Sequence, residues 1–245
     1  MCGDSIESMK KMPSESIDII ITSPPYNLMN TTSNSMKSGT SMKWKNNEIQ
    51  KGYDLHKDNL PRADYVRWIR DNLTEMFRLL KPNGAIFFNH KFRVQGGLME
   101  GHTKMLEGFN IRQMIIWQRA GGFNFNQTYF LPTYEVIYMM PKTAKGKDAF
   151  RLKKGANKIG DIWKINQVRN NTHPAPFPVE LVSTILQSCE KGIVLDPFGG
   201  SGTTAIAAID EGWDYILIDN SEEYCEMANN RIAKHQHLYT PSDNK

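Results

Sequence analysis

Cysteine is almost missing from this chain. Its three copies among 245 residues, Cys2, Cys189 and Cys225, stand far apart and form no CxxC pair and no Cys/His spacing suited to a metal. A disulfide framework and a structural zinc are therefore not expected, and no metal site is. Long apolar runs are also lacking, so nothing is long enough to span a bilayer, and the N-terminus turns polar within four residues without a secretory pattern. The expectation is a soluble cytoplasmic protein with no membrane partner. No internal repeat is present, and 245 residues suit one α/β domain with insertions.

The net charge of +4 is modest but unevenly spread: Lys142 to Asn170 holds nine Lys or Arg against two acids, a local +7 that leaves the rest of the chain at −3. Such a stretch is commonly a solvated loop, and becomes a candidate phosphate-contacting surface only beside a site that takes a nucleotide.

Two stretches point to such a site. In the first, the apolar run Ile17-Asp18-Ile19-Ile20-Ile21 reads as a buried strand and meets Thr22-Ser23-Pro24-Pro25-Tyr26-Asn27, where two prolines stop any sheet ladder. Proline fixes φ and restricts the residue before it, so the Ser23 hydroxyl, the Pro24 carbonyl and the Tyr26 ring have little freedom. Two acceptors beside an aromatic face suit a flat heterocycle carrying an exocyclic amine.

In the second, the strand Ile193-Val194-Leu195-Asp196 runs into Pro197-Phe198-Gly199-Gly200-Ser201-Gly202-Thr203-Thr204 and a helix from Ala205 to Glu211. A strand, a glycine turn and a helix N-terminus form the general nucleotide-binding crossover. A further strand, Tyr215 to Ile218, ends at Asp219, placed to accept hydrogen bonds from ribose hydroxyls. Gly200-x-Gly202-x-x-Ala205 with Asp219 also fits a dinucleotide fingerprint, so an NAD-binding oxidoreductase is the rival reading. Against it, Asp196 precedes the glycines where it would repel a pyrophosphate, the motif lies late in the chain, and the Pro-Pro-Tyr turn would be idle. The lysine of a P-loop is absent.

Between these motifs, Asp4 or Ser5 caps a short helix, and residues 28–58 read as a long polar loop. Apolar spacing predicts a helix over Asp64 to Leu80, a turn at Lys81-Pro82-Asn83-Gly84 and a buried strand at Ala85 to Asn89. A weaker helix is expected over Gly97 to Leu106, strands over Ile111 to Trp117 and Thr133 to Met140, and a loop over Gly121 to Leu131. Within the basic segment only Gly160 to Trp163 reads as ordered. A helix follows Pro178, with Cys189 on its apolar stripe as a small core residue.

The two motifs in this order resemble the AdoMet-dependent DNA amino-methyltransferases of the β group, in which the catalytic motif precedes the cofactor motif. Gly3-Asp4-Ser5, Leu80-Lys81-Pro82-Asn83-Gly84 and His173-Pro174-Ala175-Pro176-Phe177-Pro178 add to a resemblance that covers nearly the whole chain. It implies a Rossmann-like α/β fold, a mostly parallel sheet with helices on both faces and a circularly permuted motif order. Residues 1–141 would form the catalytic half, 142–171 a basic target-recognition insert and 172–245 the half that binds S-adenosyl-L-methionine. Only Met1 and Cys2 precede Gly3, so the strand expected there is reduced to two residues or starts upstream.

On these residues the resemblance implies a base site at Ser23, Pro24, Pro25 and Tyr26. The methionine end of the cofactor would lie on Asp196, Pro197 and the turn Phe198, Gly199, Gly200, Ser201, Gly202, with Thr203 and Thr204 near its carboxylate. Asp219 would bind the ribose, Asp4 would meet the adenine edge, and His173 and Phe177 would close from the other side. Double-stranded DNA would be held by Lys142, Lys145, Lys147, Arg151, Lys153, Lys154, Lys158 and Arg169. The reaction implied is methylation of the amino group of an extruded base. Thr-Ser-Pro-Pro-Tyr favours cytosine N4 over the runner-up adenine N6, and cytosine C5 chemistry is disfavoured because no Pro-Cys nucleophile occurs. A homodimer and a cognate restriction endonuclease are the partners the family leaves open, and a non-catalytic DNA-binding protein is a further alternative.

Overall fold

The computed structural model describes residues 1–27, 60–95, 97–119, 127–166 and 177–239. The loop expected at 28–58, most of the loop expected at 121–131, Arg169 and His173 fall outside the described residues.

Strand β1 (Ile17–Thr22) lies near the centre of a seven-stranded sheet. Strands β2 (Leu80–His90), β5 (Gln113–Gln118), β6 (Tyr134–Pro141), β7 (Ile162–Lys164), β8 (Ile193–Asp196) and β9 (Asp214–Leu217) complete it in the order β7-β5-β6-β2-β1-β8-β9. Every neighbouring pair is parallel except those made by β6, which runs antiparallel to β2 and β5. The parallel strands thus share one carboxyl-end edge, here the upper edge, and that is where loops can build a site.

Successive side chains of a strand face opposite ways, and the core divides accordingly. Ala85 and Phe87 of β2 join Ile19 and Ile21 under helices α4 (Val179–Gln187) and α5 (Thr203–Glu211). Ile86 and Phe88 join Ile17 and Ile20 under α1 (Ser5–Lys10), α2 (Arg62–Leu79) and α3 (Thr103–Leu106). The expected helices and strands are in place within a few residues, and Asp4 caps α1 by accepting from the Glu7 amide at 3.0 Å. Buried Cys189 packs among apolar side chains, and burial pushes its thiol up to about 12.

Four features differ from the sequence expectation. Lys81 to Gly84 is not a separate turn: β2 begins at Leu80 opposite Ile17 and bulges before Ala85 meets Ile19, two residues on β1 against five on β2. Gly97 to Leu106 is mostly not helical, because β3 (Arg93–Gln95) and β4 (Leu98–Glu100) pair as a small hairpin ahead of α3. In the basic segment a 3₁₀ turn at Ala156–Lys158 leads into β7, the sheet's edge strand, and Phe150 and Ile165 enter the core. A long helix, α6 (Glu222–Tyr239), follows β9 where no helix was anticipated. Cys2 forms an isolated parallel bridge with Asp219, just past the end of β9.

Candidate active site

The two motifs leave neighbouring strands and are joined by one carboxylate. Asp196, 1% exposed at the end of β8, accepts the Thr22 hydroxyl at 2.9 Å, the Thr204 hydroxyl at 2.7 Å and the Phe198 amide at 3.1 Å. Thr22 ends β1 immediately before Ser23, and Thr204 lies in the first turn of α5. Burial pushes the Asp196 carboxyl up to about 6 despite these three donors.

The Pro-Pro turn carries a polar cluster. Ser23 Oγ lies 2.6 Å from Tyr26 Oη, which donates to Glu135 Oε2 at 2.9 Å. Asn89 Nδ2 donates to Tyr26 Oη at 2.7 Å, to Glu135 Oε2 at 2.9 Å and, more weakly, to Ser23 Oγ at 3.3 Å. Arg119 pairs with the other carboxylate oxygen, Glu135 Oε1, at 3.2 Å.

Beneath the turn, Tyr65 Oη donates to the Pro25 carbonyl at 2.8 Å and lies 2.8 Å from His90 Nε2, while the His90 ring sits 4.9 Å from that of Tyr26. Burial, reinforced by His102, holds the His90 imidazole well below its ordinary range, so it is neutral. Asn27 adopts φ 56°, a left-handed conformation that asparagine tolerates, with its Nδ2 on the Leu60 carbonyl and its own carbonyl accepting from Arg93.

The glycine turn is held by its own backbone and by Asp219. Gly199 N donates to the Ile218 carbonyl at 2.8 Å, and Gly200 N to Asp219 Oδ2 at 2.8 Å. Asp219 Oδ1 accepts from Ser221 N at 3.0 Å, and burial raises its pKa. A side chain at Gly202 would meet Ala228 Cβ at 3.1 Å on a backbone with φ 80°, so the turn needs glycine there. Arg231 of α6 donates to the Ser201 carbonyl and lies 3.2 Å from both Ser201 Oγ and Thr203 Oγ1. Gly3 N bonds the Asp219 carbonyl at 2.8 Å, which brings the Asp4 cap beside the same turn. Phe198 packs against Trp68 with ring centroids 5.4 Å apart. Phe177 is a core residue packed with the cluster under α4.

The fold therefore gathers Ser23, Pro24, Pro25, Tyr26, Asp196 to Thr204, Asp219 and Asp4 at the upper edge. The basic residues do not share that location. Lys142 is tied to the Gly84 and Phe77 carbonyls, Arg112 at the start of β5 holds the Ala144 and Phe150 carbonyls, and Lys153 N bonds Ser188 beyond α4. The segment carrying Lys142, Lys145, Lys147, Arg151, Lys153, Lys154 and Lys158 thus follows the lower edge, roughly 20 Å from the Ser23 turn at ~3.3 Å per strand residue. At the upper edge an open cleft of about 700 Å³ is lined by Lys91, Arg93, Tyr129, Phe130, Pro132 and Tyr134, among others.

Asn89, His90, Arg119, Glu135 and Arg231 were not foreseen. Asn89-His90 carried a readable signal, two polar residues closing a buried apolar strand at its carboxyl end. Glu135 at the start of β6 carried none, because its role depends on a strand that runs the other way.

A profile of the DNA methylase family, of the N6/N4 type, matches residues 17–230. The chain belongs to that family. It is 30% identical to the type II methyltransferase M.HpaI of Haemophilus parainfluenzae over 95% of this chain and 73% of that protein. It is 27% identical to M.BglII of Bacillus subtilis, also a type II methyltransferase, over 92% of this chain and 66% of that one. Identity to the DNA adenine methyltransferase YhdJ of Escherichia coli K12 is 27%, over 96% and 82%. Among solved structures, the cytosine-N4-specific PvuII DNA methyltransferase superposes with a TM-score of 0.69 at 19% identity, covering 100% of this chain and 86% of that one. M1.HpyAVI in complex with SAM gives 0.62 at 20% identity, over 94% and 98%. The fold expected from the motifs is the fold these structures share.

Proposed function

We propose that the chain transfers a methyl group from S-adenosyl-L-methionine to the exocyclic amino nitrogen of a base extruded from duplex DNA, and that the base is cytosine, methylated at N4. The observation that carries this reading is the Thr22–Asp196–Thr204 link, which sets an amine-accepting turn and a glycine turn on adjacent strand ends.

S-adenosyl-L-methionine supplies an electrophilic methyl on a sulfonium. The site fits it: Gly200 and Gly202, both at positive φ, carry the chain from β8 to the N-terminus of α5 as a nucleotide-binding turn does, and Asp219 is met by backbone amides alone, so its carboxylate has acceptor capacity left for ribose hydroxyls. The turn from Pro197 to Thr204 would hold the methionine end, with Asp4 at the adenine edge; His173 and Phe177 are assigned to the opposite wall by family resemblance alone.

Ser23 Oγ and the Pro24 carbonyl accept hydrogen bonds from the target amine, which shifts lone-pair density onto nitrogen and orients it for in-line attack. No covalent intermediate with the chain is needed. Duplex DNA approaches the upper edge, where aromatic and basic side chains line the open cleft and can stack unpaired bases. The lower-edge lysines are left to a more distant stretch of duplex or to solvent. A serine in place of an acid at the head of the Pro-Pro-Tyr turn supports cytosine; likeness to YhdJ over 96% of the chain supports adenine N6 as the second reading.

Methyl-labelled S-adenosyl-L-methionine and mixed-sequence duplex, digested to nucleosides and resolved by mass, test both. N4-methylcytosine is the expected product. N6-methyladenine overturns the base, and absence of label from DNA overturns the reaction.

A further inference from the structure

We propose that Glu135 takes up the proton released by the target amine, delivered through the Ser23 and Tyr26 hydroxyls. The proposal rests on the amino-methyltransfer reading and adds a residue to it.

Tyr26 has one hydroxyl proton, and it points to Glu135 Oε2 at 2.9 Å. The 2.6 Å contact between Ser23 and Tyr26 must then use the Ser23 proton, so Ser23 Oγ faces the base site with its lone pairs. The two Asn89 Nδ2 hydrogens go to Tyr26 Oη at 2.7 Å and Glu135 Oε2 at 2.9 Å, which is compatible with Tyr26 accepting from Ser23 and donating to the carboxylate. The wire is therefore already oriented from the base toward the carboxylate.

The amine lone pair forms the N–CH₃ bond while the C–S bond breaks onto sulfur, leaving a thioether and a nitrogen with a positive charge and two protons. One passes to Ser23 Oγ as the Ser23 proton moves to Tyr26 Oη and the Tyr26 proton to Glu135 Oε2. A neutral methylamino base, two neutral hydroxyls and a protonated Glu135 remain, and the carboxyl later returns its proton to solvent.

The groups facing Glu135 do not prevent this. Arg119 holds Oε1, Lys91 lies nearby and His90 packs on the Tyr26 ring, which leaves Oε2 to accept the Tyr26 hydroxyl. An ammonium on an aromatic ring is a far stronger acid than a carboxylic acid, so even an arginine-paired carboxylate is a competent acceptor. Family members that open this turn with an acid carry a negative charge at the amine itself; here the first residue is Ser23, and Glu135 stands two hydrogen bonds away.

Single-turnover methylation with the full chain and duplex DNA, followed across pH, tests the assignment in Glu135→Gln, Glu135→Asp, Tyr26→Phe and the Gln/Phe double variant. Expected is a loss of about 10²-fold in Glu135→Gln and in Tyr26→Phe, with no further loss in the double variant and partial recovery in Glu135→Asp. The Glu135→Gln rate should climb roughly tenfold per pH unit as hydroxide replaces the carboxylate, a pH slope absent from wild type and from Glu135→Asp, while affinities for S-adenosyl-L-methionine and duplex stay at wild-type values and melting temperature falls because Arg119 loses its buried partner. Rates within about threefold of wild type in Glu135→Gln, multiplicative losses in the double variant, or a loss that follows melting temperature in Gln and Asp alike would overturn the relay alone. A wild-type chain that labels no DNA would overturn the methyltransfer reading and the relay with it.

Discussion

Replacing Thr22 by valine keeps the shape of a fully buried β1 residue and removes one of three donors to Asp196. A hydrogen bond to a buried carboxylate is worth about 2 kcal/mol, against about 1 kcal/mol for one to a neutral carboxyl. In the native protein the Asp196 carboxyl has a pKa of about 6, against an ordinary 3.8. Its raised value means that the folded state binds the extra proton between those limits, so this group's contribution to stability falls as pH rises through the window. Above it the carboxylate is charged and needs all its donors; below about pH 5 it is protonated and needs them less.

Thr22→Val should therefore cost about 2 kcal/mol at pH 8, or ~4–8 °C in melting temperature for a domain of this size, and about half that at pH 5. The variant should also lift the Asp196 carboxyl by roughly 0.7 pH unit, the ~1 kcal/mol difference between the two protonation states. Calorimetry of both proteins at the two pH values decides it, with Thr204→Val as a second probe of the same carboxylate. A cost that is equal at both pH values, or larger at pH 5, would refute the claim that a charged Asp196 joins the two motifs.

His102 is buried and neutral, held to about 4 by desolvation, with Tyr138 Oη at 2.9 Å from its Nδ1. Its contribution is present above the unfolded value near 6.5 and lost as pH falls toward 4, so His102→Gln should lose ~3 kcal/mol less than wild type across that window in pH-dependent melting. Gly84→Ala would place a methyl 2.6 Å from the Asp18 carbonyl, a backbone atom that cannot turn away; denaturant titration should show a loss of about 2–3 kcal/mol. Reversing Lys145, Lys147 and Lys154 to glutamate should leave duplex affinity within a few-fold, whereas Lys164→Glu, at the upper end of β7, should weaken it and lower the salt slope by about 1. A larger effect from the lower-edge set would put the duplex on that side.

The parts legible in the sequence were those coded locally. Alternation and helical spacing placed β1, α2, β6 and β8, and the two punctuated turns marked the site, because proline and glycine restrict or free the backbone whatever surrounds them. Residues whose role arises from strand order were not legible. Glu135 reaches Tyr26 only because β6 inserts antiparallel beside β2 and brings its first residues to the edge where β2 ends. The charge of the basic stretch is plain in the sequence, but which edge it follows is not, because that is set by Lys142 meeting Gly84 after β6 has descended through the sheet. Only the second strand of the small hairpin, Leu98–Glu100, falls within the helix expected over Gly97 to Leu106, and three-residue strands are too short to show a period.

The seam between β1 and β8 is fastened near both ends by a carboxylate. At the lower end Asp18 accepts from the Ile193 amide at 2.9 Å and from Lys81 at 2.8 Å, and at the upper end Asp196 takes Thr22. The residues so joined are 174 and 175 positions apart, so closing the seam is among the most costly steps in loop entropy that the chain takes. Contacts of such long range form late in folding. During synthesis the base-accepting turn emerges first and waits for about the last quarter of the chain, where β8 lies, and a nascent or truncated copy that lacks β8 lacks Asp196 and the glycine turn. The two turns can therefore be joined only after β8 has been made and paired with β1.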